Sequence, residues 1–160
     1  MGYQWFSISW LDGSPESEMV AGFRRSAGIL DRYITEVMAE EGVGPEATAL
    51  VGFSQGTMMS LHVAPRRAAP LAALVGFSGR LQDSAKLKAE AVSKPPVLLI
   101  HGDQDEMIPV AALAEAQNGL ADAGFEVQSH ISRGTGHGIA PDGLGLALGF
   151  LTEYLGINPE

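Results

Sequence analysis

Cysteine is absent from the chain. That excludes disulfides, thiolate nucleophiles and thiolate-held metals, and leaves the redox compartment open. Basic residues are scarce. Ten Lys and Arg stand against 19 Asp and Glu, for a formal net charge of −9. Such a balance opposes polyphosphate, so nucleic acid is not an expected partner. No apolar run approaches the ~18 residues of a membrane helix, so no integral membrane segment is expected. The opening MGYQWFSISW lacks the basic flank and continuous apolar stretch of an export signal, and a cytoplasmic location is the expectation. Internal repeats and low-complexity segments are also missing.

The 160 residues present predict a single domain, residues 1–160, able to bury a core. The loop DGSPES at 12–17 supplies helix-start chemistry. Val20, Phe23, Ala27, Leu30, Ile34, Val37 and Met38 then recur at helical spacing, which predicts a helix over 18–41. Gly42, Gly44 and Pro45 stop it. Residues 47–53, 71–77 and 96–101 are apolar on both faces, as parallel strands under helices are. Residues 125–131 alternate more and read as a strand nearer an edge. Helices are predicted at 55–64, 110–123 and 144–155. Strands alternating with helices imply an α/β fold with a mostly parallel sheet.

Gly52-Phe53-Ser54-Gln55-Gly56 is a Gly-x-Ser-x-Gly pattern between a predicted strand and a predicted helix, the setting of a nucleophile elbow. Glycines on both sides of Ser54 would remove Cβ atoms from a tight turn. The backbone N–H of Gln55 would lie at a helix N-terminus, where it can stabilise an oxyanion. Ser78 competes, in Gly76-Phe77-Ser78-Gly79-Arg80, but lacks the second glycine and reads as a loop residue. Asp103 and Asp105 both follow a buried strand and can orient an imidazole; spacing does not choose between them. Among four histidines, His62 reads as packed in a helix, His101 as structural at a strand end, and His130 as a strand residue. His137 alone sits in a glycine-rich loop, Gly134 to Gly138, after the last strand. All three candidates follow strand C-terminal ends, where α/β sheets bind ligands, in the order Ser, Asp, His. Phe53, Met58, Met59, Phe77, Met107 and Ile108 are either an apolar pocket or simply core.

With these residues in view, the chain resembles the phospholipase/carboxylesterase family of α/β-hydrolases, which includes acyl-protein thioesterases. The likeness runs through QWF at 4–6, LVGFSQGTMMSLH at 50–62, LLIHGDQDEMIPV at 98–110 and GTGH at 134–137. It implies a three-layer α/β-hydrolase sheet and hydrolysis of carboxylic ester or thioester bonds without cofactor or metal. It implies Ser54 as nucleophile, Asp105 rather than Asp103 as the acid, and His137 as the base. The small acyl substrate is the implied partner. A weakly active or non-catalytic fold that binds acyl ligands or a partner is the alternative reading, and a peptidase a third. The resemblance departs at the front. The family's N-terminal strands and His-Gly-x-Gly loop, source of a second oxyanion N–H, have no counterpart in residues 1–50. The expectation is an N-terminally incomplete sheet with 47–53 at an edge. Either the natural chain is longer, or that edge would be repaired by homo-oligomerisation or covered by Tyr3 to Leu11, which would also bring a backbone N–H to Ser54.

Overall fold

Short apolar stretches separated by helices can only pair side by side in parallel if each connection crosses a face of the sheet. The computed structural model, which describes residues 3–158, has that arrangement. Strands β1 (Ala49–Phe53), β2 (Ala73–Phe77), β3 (Val97–Gly102) and β4 (Val127–Ser132) form one parallel sheet in the order β1-β2-β3-β4. Leu50 aligns with Leu74, Phe77 with Ile100, and His101 with Ile131. Helices α1 (Ser9–Asp12) and α2 (Glu16–Glu41) precede the sheet. Helices α3 (Gln55–Val63), α4 (Ser84–Glu90) and α5 (Ala111–Asp122) make the crossovers, and α6 (Pro141–Leu155) follows β4.

The period of two sorts the sheet's side chains into two cores. Leu74, Val97 and Leu99 join Ile34, Met38, Met59, Leu113 and Leu120, under α2, α3 and α5. Ala73, Val75, Phe77, Leu98 and Ile100 turn the other way, onto Ala147 and Phe150 of α6. The result is a three-layer α/β architecture, with β2 and β3 buried along their whole length. No helix among the described residues is long and apolar enough to cross a membrane.

Boundaries shift where local chemistry wins. Residues 45–47 wind into a 3₁₀ turn, so β1 starts at Ala49 rather than Ala47. The Phe125 N–H returns to the Leu120 carbonyl at 3.0 Å, so Phe125 closes α5 and β4 starts at Val127. Helix α6 starts at Pro141, three residues ahead of the reading, because proline's fixed φ suits a helix's first position. Helices α1 and α4 were not anticipated; they are four and seven residues long, too short for periodicity to show.

Both β1 and β4 are edge strands, β4 as its alternating sequence suggested and β1 as the family resemblance implied. On β1, Val51 and Phe53 are 57% and 41% exposed. The segment from Tyr3 does not cover that edge. Phe6 is buried edge-to-face on Phe23 of α2, 5.3 Å between ring centres, and Ser26 of α2 donates its hydroxyl to the Trp5 carbonyl.

Candidate active site

Ser54 stands between β1 and α3 with φ 54° and ψ −113°, a conformation that L-residues avoid. Its N–H is held by the Phe77 carbonyl at 2.8 Å. The turn closes because residue 52 has no side chain: a Cβ there would lie 2.6 Å from the Gly56 carbonyl carbon and the Thr57 nitrogen. Gly56 is different. A Cβ there meets nothing within 4 Å, so the second glycine of the pattern is not demanded by space within this chain.

The loop after β3 carries Asp105 and the loop after β4 carries His137. His137 Nε2 lies 3.0 Å from Ser54 Oγ, and its Nδ1 lies 2.7 Å from Asp105 Oδ2. An ionised Asp105 accepts from Nδ1–H, which leaves Nε2 free to accept the serine proton. The other carboxylate oxygen, Oδ1, accepts the N–H groups of Met107 at 2.8 Å and Ile108 at 2.9 Å. The Asp105 side chain is fully enclosed, whereas that of His137 is 20% exposed. Burial pushes the Asp105 carboxyl up, but the Ile108 N–H, His137 and the Met107 N–H together outweigh it and hold its pKa below the ordinary value. The carboxyl is therefore charged at neutral pH and can both orient the imidazole and stabilise its protonated form.

Asp103, the alternative acid, points elsewhere. It accepts the Gly134 N–H at 2.8 Å and so ties the loop after β3 to the loop carrying His137. The Gln104 N–H on the Thr135 carbonyl at 2.9 Å is a second tie. These loops meet so closely that a Cβ at Gly102 would lie 2.2 Å from the Thr135 oxygen and 2.4 Å from the Gly136 oxygen.

The remaining histidines fall where the sequence put them. His101 is buried at the end of β3, with Nε2 2.8 Å from the Ile108 carbonyl and 3.4 Å from Asp105 Oδ2. It braces the turn that presents Asp105, a role hinted at only by the four-residue spacing. His130 pairs with Asp142 in the first turn of α6, at 2.6 Å. His62 packs edge-to-face on Phe23, 4.9 Å between centres. Ser78 is a buried bend residue after β2, its hydroxyl 3.5 Å from the Gly138 carbonyl. Of the six apolar residues considered for a pocket, Met58, Met59, Phe77 and Ile108 are core. Phe53 and Met107 are exposed at 41% and 45%, and Phe53 flanks the His137 ring at 4.9 Å between centres.

Gln55 begins α3, where the first backbone N–H groups have no acceptor within the helix. Its buried side chain, unforeseen in the sequence, clamps the N-terminal segment. Oε1 accepts the Trp5 N–H at 2.8 Å and Nε2 donates to the Phe6 carbonyl at 2.7 Å. The Trp5 N–H is thus committed to Gln55 and is not the extra oxyanion donor that the segment was expected to bring. Among the described residues, no group of three or more His, Asp or Glu gathers as a metal site.

The sequence model of the phospholipase/carboxylesterase family matches residues 1–155. Esterase YpfH of Escherichia coli (strain K12) is 34% identical over 153 residues, covering 94% of this chain and 62% of that protein. Acyl-protein thioesterase 1 of Gibberella zeae is 27% identical over 159 residues, covering 94% and 68%. The chain therefore spans less than two thirds of the length of the Escherichia coli relative. Among solved structures, esterase PE8 superposes with a TM-score of 0.89 at 45% identity, covering 96% of this chain and 71% of that one. SOBER1 of Arabidopsis thaliana superposes with a TM-score of 0.75 at 25% identity, covering 94% and 73%.

Proposed function

The chain belongs to the phospholipase/carboxylesterase family, and on that premise we propose that it is a serine hydrolase of carboxylic ester or thioester bonds, with Ser54 as nucleophile, His137 as base and Asp105 as acid. One observation carries the reading: the unbroken line from Ser54 Oγ through both nitrogens of His137 to a charged, enclosed Asp105, at 3.0 and 2.7 Å. A hydroxyl in a strained turn, facing an imidazole already fixed in the accepting tautomer, is a nucleophile awaiting a carbonyl.

In this reading Ser54 Oγ attacks the acyl carbon as His137 Nε2 takes its proton. Asp105 stabilises the imidazolium. The Gln55 N–H donates to the oxyanion, aided by the positive end of α3. His137 then protonates the departing alcohol or thiol, and water repeats the sequence on the acyl-enzyme. Asp105, with its lowered pKa, is already charged at neutral pH and so can hold the imidazole in place throughout the cycle. The exposed edge of β1, with Val51 and Phe53 uncovered, supports self-association as part of the same proposal.

A fluorophosphonate probe tests the assignment. It should add one label, at Ser54, and Ser54→Ala should abolish both label and turnover of short nitrophenyl esters. A fold that merely binds acyl ligands would take no label. Light scattering should show a dimer or larger at micromolar concentration; a monomer would remove the self-association element.

A further inference from the structure

Away from Ser54, a cavity of about 230 Å³ opens between the first half of α2, helix α3 and the start of α4. Its floor is apolar: Phe6, Met19 and Phe23. The rings of Phe6, Phe23 and His62 form a continuous edge-to-face series along one wall, with centres 5.3 and 4.9 Å apart. The rim is cationic, with Arg24, Arg66 and Lys86, in a chain whose net charge is −9. A second cavity of about 290 Å³ adjoins it and shares Arg24, His62 and Arg66.

The cations differ in their commitments. Arg66 pairs with Glu90 at 2.7 Å and Lys86 approaches Asp83 at 3.9 Å. Among the described residues Arg24 has no carboxylate within ion-pair distance. The acids on the cavity itself are Glu16 and Asp83. We propose that this cavity is a second ligand site, for a short alkyl carboxylate whose chain lies on Phe6, Met19 and Phe23 and whose head meets the Arg24 guanidinium.

Size and charge both select that class. The volume holds about eight water-sized groups at ~30 Å³ each, which matches a six-carbon acid. A planar carboxylate fits the guanidinium fork, and one uncommitted arginine balances one negative charge. A phosphate dianion would face Glu16 and Asp83 with its second charge unmatched. His62 reports on the site. Its pKa is lowered to about 4 by burial first, then by Arg66, with Arg24 and Lys86 adding and Glu90 opposing. An anion set among these cations must therefore raise it. His62 lies eight residues along α3 from Ser54, about 12 Å by helical rise, so the site is separate from the hydroxyl.

The test is a proton NMR titration of the His62 ring, assigned by loss of its signal in His62→Gln, on the intact chain with hexanoate, hexylamine and hexanol. Hexanoate should bind saturably and raise the His62 pKa; the amine and the alcohol should not. Arg24→Gln should weaken hexanoate about tenfold or more, with the phosphonate labelling rate at Ser54 unchanged. The proposal is overturned if the His62 signal ignores hexanoate, if hexylamine produces the same effect, or if Arg24→Gln binds hexanoate as tightly as the parent. The titration reads no turnover, so its failure and failure of the hydrolase reading are told apart.

Discussion

Replacing Gly102 by alanine tests how the His137 loop is seated. The added Cβ would lie 2.2 Å from the Thr135 carbonyl oxygen, where real Cβ contacts do not fall below 3.0 Å. The obstacle is backbone, so no rotamer change relieves it. The Thr135 oxygen must retreat by at least about 0.8 Å, and Gly102 itself is pinned in the buried strand β3. His137 follows two residues later. Taken along the line to Ser54, that retreat stretches the 3.0 Å approach to about 3.8 Å, beyond hydrogen-bonding range. A displacement near 1 Å in a positioned catalytic group costs about 10²-fold, or about 2.7 kcal/mol of transition-state stabilisation. Gly102→Ala should therefore lower kcat for a nitrophenyl ester about a hundredfold with KM little changed. Phosphonate labelling of Ser54 should slow in parallel, and the melting transition should remain cooperative. A folded variant turning over within twofold of the parent would refute the reasoning, since the loop would then have absorbed the methyl without moving the imidazole.

Asp105→Asn should cost about 10³–10⁴ in kcat, because the amide cannot hold the required imidazole tautomer. Asp103→Asn, which perturbs only the bond to the Gly134 N–H, should cost less than tenfold; the reverse order in steady-state assays would exchange their roles. Gln55→Ala removes both bonds of the N-terminal clamp, about 2 kcal/mol together, and should lower Tm by about 4–8 °C. An unchanged Tm in calorimetry would show that the clamp adds nothing. His62 predicts an acid-sensitive stability. Its folded pKa of about 4 lies below the 6.5 of a free imidazole, so the unfolded chain binds the extra proton between those values. Stability should fall on acidification through that window, by at most about 3 kcal/mol. Urea melts of His62→Leu should show a correspondingly flatter pH dependence, and equal slopes would contradict the shift.

What was legible in the sequence was whatever repeats or is punctuated. Three apolar runs and one alternating segment gave four strands, and the pattern around Ser54 stood out because it joined a strand to a helix. Asp105 could not be told from Asp103 by chemistry or spacing. They separate only once the β3 loop folds, when the N–H groups of Met107 and Ile108 turn one carboxylate inward. The Gln55 side chain was invisible for a different reason: its partners at Trp5 and Phe6 lie about fifty positions away. The segment Tyr3 to Leu11, apolar and aromatic, was one of the covers expected for β1, self-association being the other. Of its aromatics only Phe6 is buried, on Phe23 of α2, while Tyr3, Trp5 and Trp10 stay exposed.

The sheet has one further property. Its strands stand side by side in the order in which they are made, β1 to β4. Each new strand thus adds to an edge that already exists, without displacing an earlier neighbour. The hydroxyl of Ser54 arrives with β1 and the imidazole that faces it comes 83 residues later, after β4. At ~5–20 residues per second of synthesis, that gap is roughly 4–17 s. On the proposed roles, a nascent chain would for that interval carry the serine without the base that takes its proton, and would stay unreactive toward acyl groups until the His137 loop docks.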